Sequence, residues 1–76
     1  GIEETQLYQD LKQYRYETSK AEGVKAYYIF NNAQLEALIA AMPRSLDELR
    51  KVSGFGEVKC EKYGDAILGI VEKYRD

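Results

Sequence analysis

The sequence has no histidine and no tryptophan, and only one cysteine, one proline and one methionine. Without an imidazole, every catalytic arrangement that depends on one is excluded, and so are most zinc sites. A lone thiol, Cys60, cannot close an internal disulfide, so the 76 residues must be held together by packing alone. An intracellular, reducing setting fits that cysteine usage. Long apolar runs are missing too: the longest purely apolar stretch is Ala37 to Met42, closed by Pro43. A membrane span needs about 20 mostly apolar residues. The opening Gly-Ile-Glu-Glu has neither a basic start nor an apolar stretch, so it does not read as a signal peptide. A surplus of positive charge is also lacking, the formal net charge being −2. Any contact with nucleic acid must then come from a local patch rather than from bulk electrostatics. No Gly-Lys-Ser/Thr phosphate loop occurs, which excludes a nucleotide-driven motor within this chain.

What is present is a globular balance, 45% hydrophobic and 32% charged residues, in a length that allows one core and one domain spanning residues 1–76. The patterning predicts four or five helices and no strand. From about Thr5 to Glu22, Leu7, Leu11, Tyr14 and Ala21 form one stripe of an amphipathic helix that Gly23 stops. The run from Val24 to Phe30 is β-branched and aromatic, but no second strand signal exists to pair with it. It is therefore expected as an extended, buried connector. Asn31 is placed as an N-cap, with Gln34 three residues on as a capping-box variant. Leu35, Leu38, Ile39 and Met42 would be the buried face of that helix, which Met42-Pro43 ends. Ser45 to Glu48 reads as a full capping box opening a short helix with Leu46, Leu49 and Val52 inward. After the tight turn Ser53-Gly54-Phe55-Gly56, a last helix starts at Glu57, with Val58, Tyr63, Ile67, Leu68 and Val71 inward. Gly64 and Gly69 within it suggest a bend or a close helix contact, since glycine inside a helix otherwise costs about 1 kcal/mol. Short helices joined by tight turns imply an orthogonal all-α bundle.

Two segments carry chemical interest. The first is Val52 to Lys59, an apolar-x-Gly-apolar-Gly turn between short helices that resembles a helix-hairpin-helix element. Its glycines, Gly54 and Gly56, allow a sharp turn, and free N–H groups at the next helix start can face a phosphate, with Lys59 and Lys62 close by. The same pattern also serves as a plain connector, which Glu57 and Glu61 favour by repelling phosphate; Phe55 is expected as a core plug. The second is the tyrosine-rich first half. Seven tyrosines occur in all, and Tyr14, Tyr16, Tyr27 and Tyr28 are interleaved with Lys12, Arg15, Lys20 and Lys25. Tyrosine rings stack on unpaired bases, and the lysines could meet the backbone of a strand. Equally, tyrosine fills helix interfaces with its hydroxyl at the surface, the expected role of Tyr14 and Tyr63. In an extended segment one of Tyr27 and Tyr28 would face inward and the other outward, in an order the alternation leaves open. Asp47 and Glu48 suit a helix start; Glu3, Glu4, Glu17, Glu36, Glu72 and Asp76 read as a solvated surface. No catalytic group, cofactor or metal site is expected.

Taken together, Leu7-x3-Leu11-Lys12-x2-Arg15 with Ala21, then Gly23-Val24-x-Ala26-Tyr27-x-Ile29-Phe30-Asn31-x-Ala33-x-Leu35, are similar to the first half of an HRDC domain. Met42-Pro43-x-Ser45-Leu46-x-Glu48-Leu49 and Gly54-Phe55-Gly56-x3-Cys60-Glu61-x-Tyr63-Gly64 are similar to its second half. The resemblance covers nearly the whole chain. It implies a bundle of about five helices, an accessory module excised from a larger protein of the kind found in RecQ-type DNA helicases and in ribonuclease D. It further implies weak, sequence-independent binding of single-stranded or branched DNA by a monomer. The family's aromatic position in the Gly-Val-x-x-aromatic segment is Tyr27, with Lys25 before it, and the basic positions after the Gly-x-Gly turn are Lys59 and Lys62. On this reading Tyr27 stacks on a base, Lys20, Lys25 and Lys59 meet phosphates, and the turn from Gly54 to Gly56 offers N–H groups. The acidic balance keeps a different reading open, a docking module for the helicase core or a partner protein. An RNA-processing setting, as in ribonuclease D, is a third. A cytoplasmic, nucleoid-associated or otherwise intracellular location would suit any of them.

Overall fold

A computed structural model describes residues 1–2 and 5–75; Glu3, Glu4 and Asp76, expected on the solvated surface, lie outside the described residues. The described residues form five helices and no strand: α1 Gln6–Glu22, α2 Ala26–Ile29, α3 Asn32–Ala41, α4 Leu46–Arg50 and α5 Glu57–Glu72. Their radius of gyration, 11.3 Å, matches the roughly 11.4 Å of a compact chain of this length.

Local capping fixes the ends of α1. The Thr5 hydroxyl accepts the Tyr8 N–H at 3.2 Å, and Gly23 closes the helix in the left-handed conformation at φ 69°. Leu7, Tyr8 and Leu11 are buried and Tyr14 is half-buried, but Ala21 is exposed, against expectation. Ten residues at 3.6 per turn carry Ala21 about 80° round the helix from Leu11. The row continues instead through half-buried Arg15 and Thr18, which are polar, to exposed Glu22, and buried Ser19 flanks it.

The segment from Val24 to Phe30 departs from the extended connector expected of it. Lys25 is extended, Ala26–Ile29 make one helical turn, and Phe30 returns to extended backbone. A lone strand would leave its amides unpaired, whereas a helical turn satisfies its own, as in the Tyr28 N–H donated to the Lys25 carbonyl at 3.0 Å. The turn sends Ile29 and Phe30 into the core and leaves both Tyr27 and Tyr28 outside, so the in-and-out alternation does not apply. The Arg15 guanidinium donates to the Phe30 carbonyl at 3.0 Å and lies over the Phe30 ring, tying α1 to this segment.

The capping box of α3 is complete: Asn31 Oδ1 accepts the Gln34 N–H and Gln34 Oε1 accepts the Asn31 N–H, each at 2.8 Å. Leu35 and Leu38 are buried, Ile39 and Met42 half-buried. Met42 ends the helix with a positive φ of 45°, a conformation that L residues adopt at a cost. It is held from the far end of the chain, where Arg75 donates to the Met42 carbonyl at 3.3 Å and the Pro43 carbonyl at 3.0 Å. At α4 the expected box is half formed. Ser45 Oγ accepts the Glu48 N–H at 3.1 Å, but the Glu48 carboxylate takes the Arg44 N–H, one residue earlier than the box requires.

In α5, Cys60, Tyr63, Gly64, Ile67 and Val71 line the core and Leu68 is half-buried. Val58, expected inward, is 71% exposed, because two residues from Cys60 place it about 200° round the helix. Gly64 marks a close contact: a Cβ there would stand 2.5 Å from Leu46 Cδ2. Gly69 faces open space and marks no packing contact. Phe30 and Phe55 meet at the centre, ring centroids 6.0 Å apart. Near the C-terminus the Tyr74 hydroxyl donates to Asp10, and with Gln6 it holds the Asp10 carboxyl below its ordinary pKa.

Candidate nucleic-acid interface

Helix α2 is too short to have an inner face along its length. One turn of backbone anchored by Ile29 and Phe30 therefore presents whatever precedes them to solvent. Here that is a pair of aromatic rings. Tyr27 is 56% exposed and Tyr28 62%, and their rings stack with centroids 5.0 Å apart and planes 24° from parallel. The Lys25 ammonium lies 6.0 Å from the Tyr27 centroid. In the last turn of α1, Lys20 Nζ lies 5.4 Å from the ring centroid of exposed Tyr16. Lys20 and Lys25 flank the Gly23 turn, where the Val24 N–H donates to the Ser19 carbonyl at 3.1 Å. Neither lysine has a carboxylate within ion-pair distance among the described residues.

The Gly-x-Gly turn is placed by different forces. Gly54 has a φ of 89°, and a Cβ there would stand 2.1 Å from Gln34 Nε2. Its close approach to α3 thus has a packing cause. Gly56 is the N-cap of α5, with no side chain capping it, so the first-turn donors common to all helix starts are left to solvent or a ligand. Glu57 occupies that first turn and pairs with Arg50, which also binds Asp47 at 2.6 Å. Phe55 is 1% exposed and plugs the core.

The two lysines after this turn already have partners. Lys59 Nζ donates to Gln34 Oε1 at 3.3 Å, and its partial burial lowers its pKa. Lys62 Nζ stands 3.4 Å from Glu22 and 5.2 Å from the Tyr63 ring centroid; the Tyr63 hydroxyl, with the Glu22 charge, raises its pKa. The Tyr63 hydroxyl donates to both Glu22 oxygens, at 2.9 and 3.0 Å. Burial, reinforced by Glu22, raises the pKa of Tyr63.

The sequence-predicted residues thus fall in two groups. Lys20, Lys25 and Tyr27 are exposed around the end of α1 and α2. Gly54 and Lys59 converge on Gln34 at the start of α3, while Lys62 reaches back to Glu22, three residues before Lys25. Two participants were not singled out from sequence. Tyr28 lacked a resolved facing, and Glu22 carries no local signal, since its partners lie 40 and 41 residues away.

These features define a class: a small all-helical module that offers an aromatic surface and a few cations. The chain matches the HRDC domain over residues 4–71, and it belongs to that family. It is similar to the HRDC domain 3 of the D. radiodurans RecQ protein, with a TM-score of 0.84 and 43% identity, covering 88% of each chain. It is 41% identical over 49 residues to the ATP-dependent DNA helicase Q-like 4B of Arabidopsis thaliana, covering 64% of this chain and 4% of that protein. Against the ATP-dependent DNA helicase RecQ of Bacillus subtilis it is 31% identical over 72 residues, 95% of this chain and 12% of that protein. The chain therefore spans only a small part of either helicase, and it corresponds to an accessory domain of such proteins.

Proposed function

We propose that this HRDC domain is the auxiliary nucleic-acid-binding domain of a RecQ-type, ATP-dependent DNA helicase, and that it binds single-stranded or branched DNA weakly and without reading sequence. The observation that carries the reading is the exposed Tyr27 ring with Lys25 beside it, at the family's aromatic position. An unpaired base can stack on such a ring while Lys25 and Lys20 meet adjacent phosphates. A duplex, whose bases are already stacked, offers the ring less. The turn from Gly54 to Gly56 and Lys59 lie next to α3 and would add a backbone contact at the flank.

The test is a titration with labelled single-stranded and duplex oligonucleotides at low salt, following backbone amide shifts. Shifts are expected at Lys25, Tyr27 and the Gly54 turn, and they should fade as salt rises. Tyr27→Ala should leave the fold intact, because the ring is outside the core, and should weaken single-strand binding by about 1–3 kcal/mol. Unchanged affinity in that variant would remove Tyr27 from the interface.

Glu22 supplies a second, opposite-signed expectation. Its carboxylate occupies Lys62 and adds a negative charge next to the proposed strand path. Glu22→Gln keeps an acceptor for Tyr63 while deleting the charge. It should tighten oligonucleotide binding by about 0.5–1 kcal/mol, the Coulomb energy of unit charges several ångströms apart in a water-like medium. Weaker binding would show that Glu22 orders the site instead of opposing phosphate.

Two observations favour a docking module: Lys59 and Lys62 are engaged within the domain, and the formal net charge is −2. Flat amide spectra with DNA, combined with shifts on adding the helicase core, would select that reading.

A further inference from the structure

We propose that Tyr28 is a base-stacking residue in its own right, so that Tyr27 and Tyr28 hold a single strand as one two-ring platform. The inference rests on the DNA-binding reading above and goes beyond it, because the family's Gly-Val-x-x-aromatic segment supplies one ring and this chain has two. Adjacent residues on a helix leave the backbone about 100° apart, yet these rings converge to 5.0 Å and 24°. Each ring therefore covers one face of the other and keeps a second face outward.

The outward faces are not equivalent. Lys25 Nζ lies 6.0 Å from the Tyr27 centroid, so the surroundings of that ring are shared with a cation. Tyr28 has no ring or cation partner among the described residues other than Tyr27, and it is the more exposed of the two. Neither ring belongs to the buried cluster, so core packing does not explain the pair. The Tyr28 end of this two-ring stack, an electron-rich face with lysines nearby, suits the face of an unpaired nucleobase joined to a phosphate backbone. Stacking also restrains both rings before a ligand arrives, which lowers the ordering cost of binding.

The test uses the whole domain and a fluorescein-labelled oligothymidylate, read by fluorescence anisotropy at low salt, with Tyr28→Ala, Tyr28→Leu, Tyr28→Phe and Tyr27→Ala compared. A second strand carrying 2-aminopurine reports stacking through quenching. Tyr28→Ala and Tyr28→Leu are expected to weaken binding roughly 5- to 150-fold, the range for one stacked base, and to relieve the quenching. Tyr28→Phe should retain both affinity and quenching, and circular dichroism should report native helix content for all four variants. If Tyr28→Ala binds as the wild type does while Tyr27→Ala is weakened, the second ring does not stack on a base and only the simpler DNA reading survives. Wild-type affinity in Tyr28→Leu would reduce Tyr28 to an apolar prop and overturn the proposal. Failure of the wild-type domain to bind the oligonucleotide at all would overturn both readings together.

Discussion

Phe55→Ala is expected to cost about 3–5 kcal/mol of folding stability, the range for truncating a fully buried aromatic side chain. A domain of this size has on the order of 5 kcal/mol in total, so the variant should be largely unfolded or close to it at 25 °C. Several features push the cost toward the upper end. Phe55 is 1% exposed, its ring meets Phe30 at 6.0 Å, and it is the apolar residue between the two glycines that lead into α5. Its backbone holds the position that the lost ring would leave empty, the N–H donating to the Val52 carbonyl at 3.0 Å and the carbonyl accepting the Cys60 thiol at 3.8 Å, bonds that alanine retains. A cavity left there cannot be closed by sliding one helix, because the ring fills space between segments that are distant in sequence. Urea unfolding followed by circular dichroism measures the loss. Phe55→Leu should retain most of the stability, since it keeps most of the apolar volume. A loss below about 1 kcal/mol for Phe55→Ala would mean that the neighbours collapse freely, and the turn would lose its role as the plug of the core.

The contrast between Phe55 and Tyr27 shows which parts of this molecule could be read from residues alone. Both are aromatics close to glycine-containing turns. Phe55 declares itself because a phenyl ring has no polar end to leave in water, whereas a tyrosine is at home in either place. Helix ends were legible for a similar reason. Gly23, Asn31 with Gln34, and Ser45 act on backbone groups within a few residues, so their chemistry is local. The run from Val24 to Phe30 was misjudged as extended because its composition has β-propensity, and that propensity yields when no partner strand exists. Val58 and Ala21 were misplaced because an apolar residue was assigned to the core without following the helix round: Val58 lies on the side of α5 opposite Cys60, and Ala21 about 80° off the row of Leu11. For the candidate site, the family's motif pointed to Lys25 and Tyr27, while which tyrosine faces solvent was left open; both rings are exposed. The partners of Lys59 and Lys62 were not legible, since Gln34 and Glu22 lie 25 and 40 residues away.

Gly54→Ala should be the second most damaging change, at about 2–4 kcal/mol, through two causes that can be separated. The first is backbone conformation: with φ at 89°, any L side chain is strained, for about 1–2 kcal/mol. The second is collision, because the new Cβ would fall 2.1 Å from Gln34 Nε2 and 2.6 Å from Gln34 Cδ. Gln34 is not free to swing away without consequence. Its Oε1 accepts the Asn31 N–H that completes the α3 capping box, and it also holds Lys59. Displacing it forfeits the reciprocal hydrogen bond of the box, worth about 0.5–1.5 kcal/mol.

A double-mutant cycle distinguishes these causes. In a Gln34→Ala background the collision and that hydrogen bond are already gone, so adding Gly54→Ala should cost only the conformational part, about 1–2 kcal/mol. Equal costs in the two backgrounds would show that Gln34 moves aside without loss, and that the turn is not braced by α3. A smaller cost in the Gln34→Ala background would instead give the first glycine of the Gly-x-Gly turn a complete packing explanation. The glycine pattern would then say nothing about phosphate by itself, and the case for a nucleic-acid surface would rest where the exposed rings are, on α2.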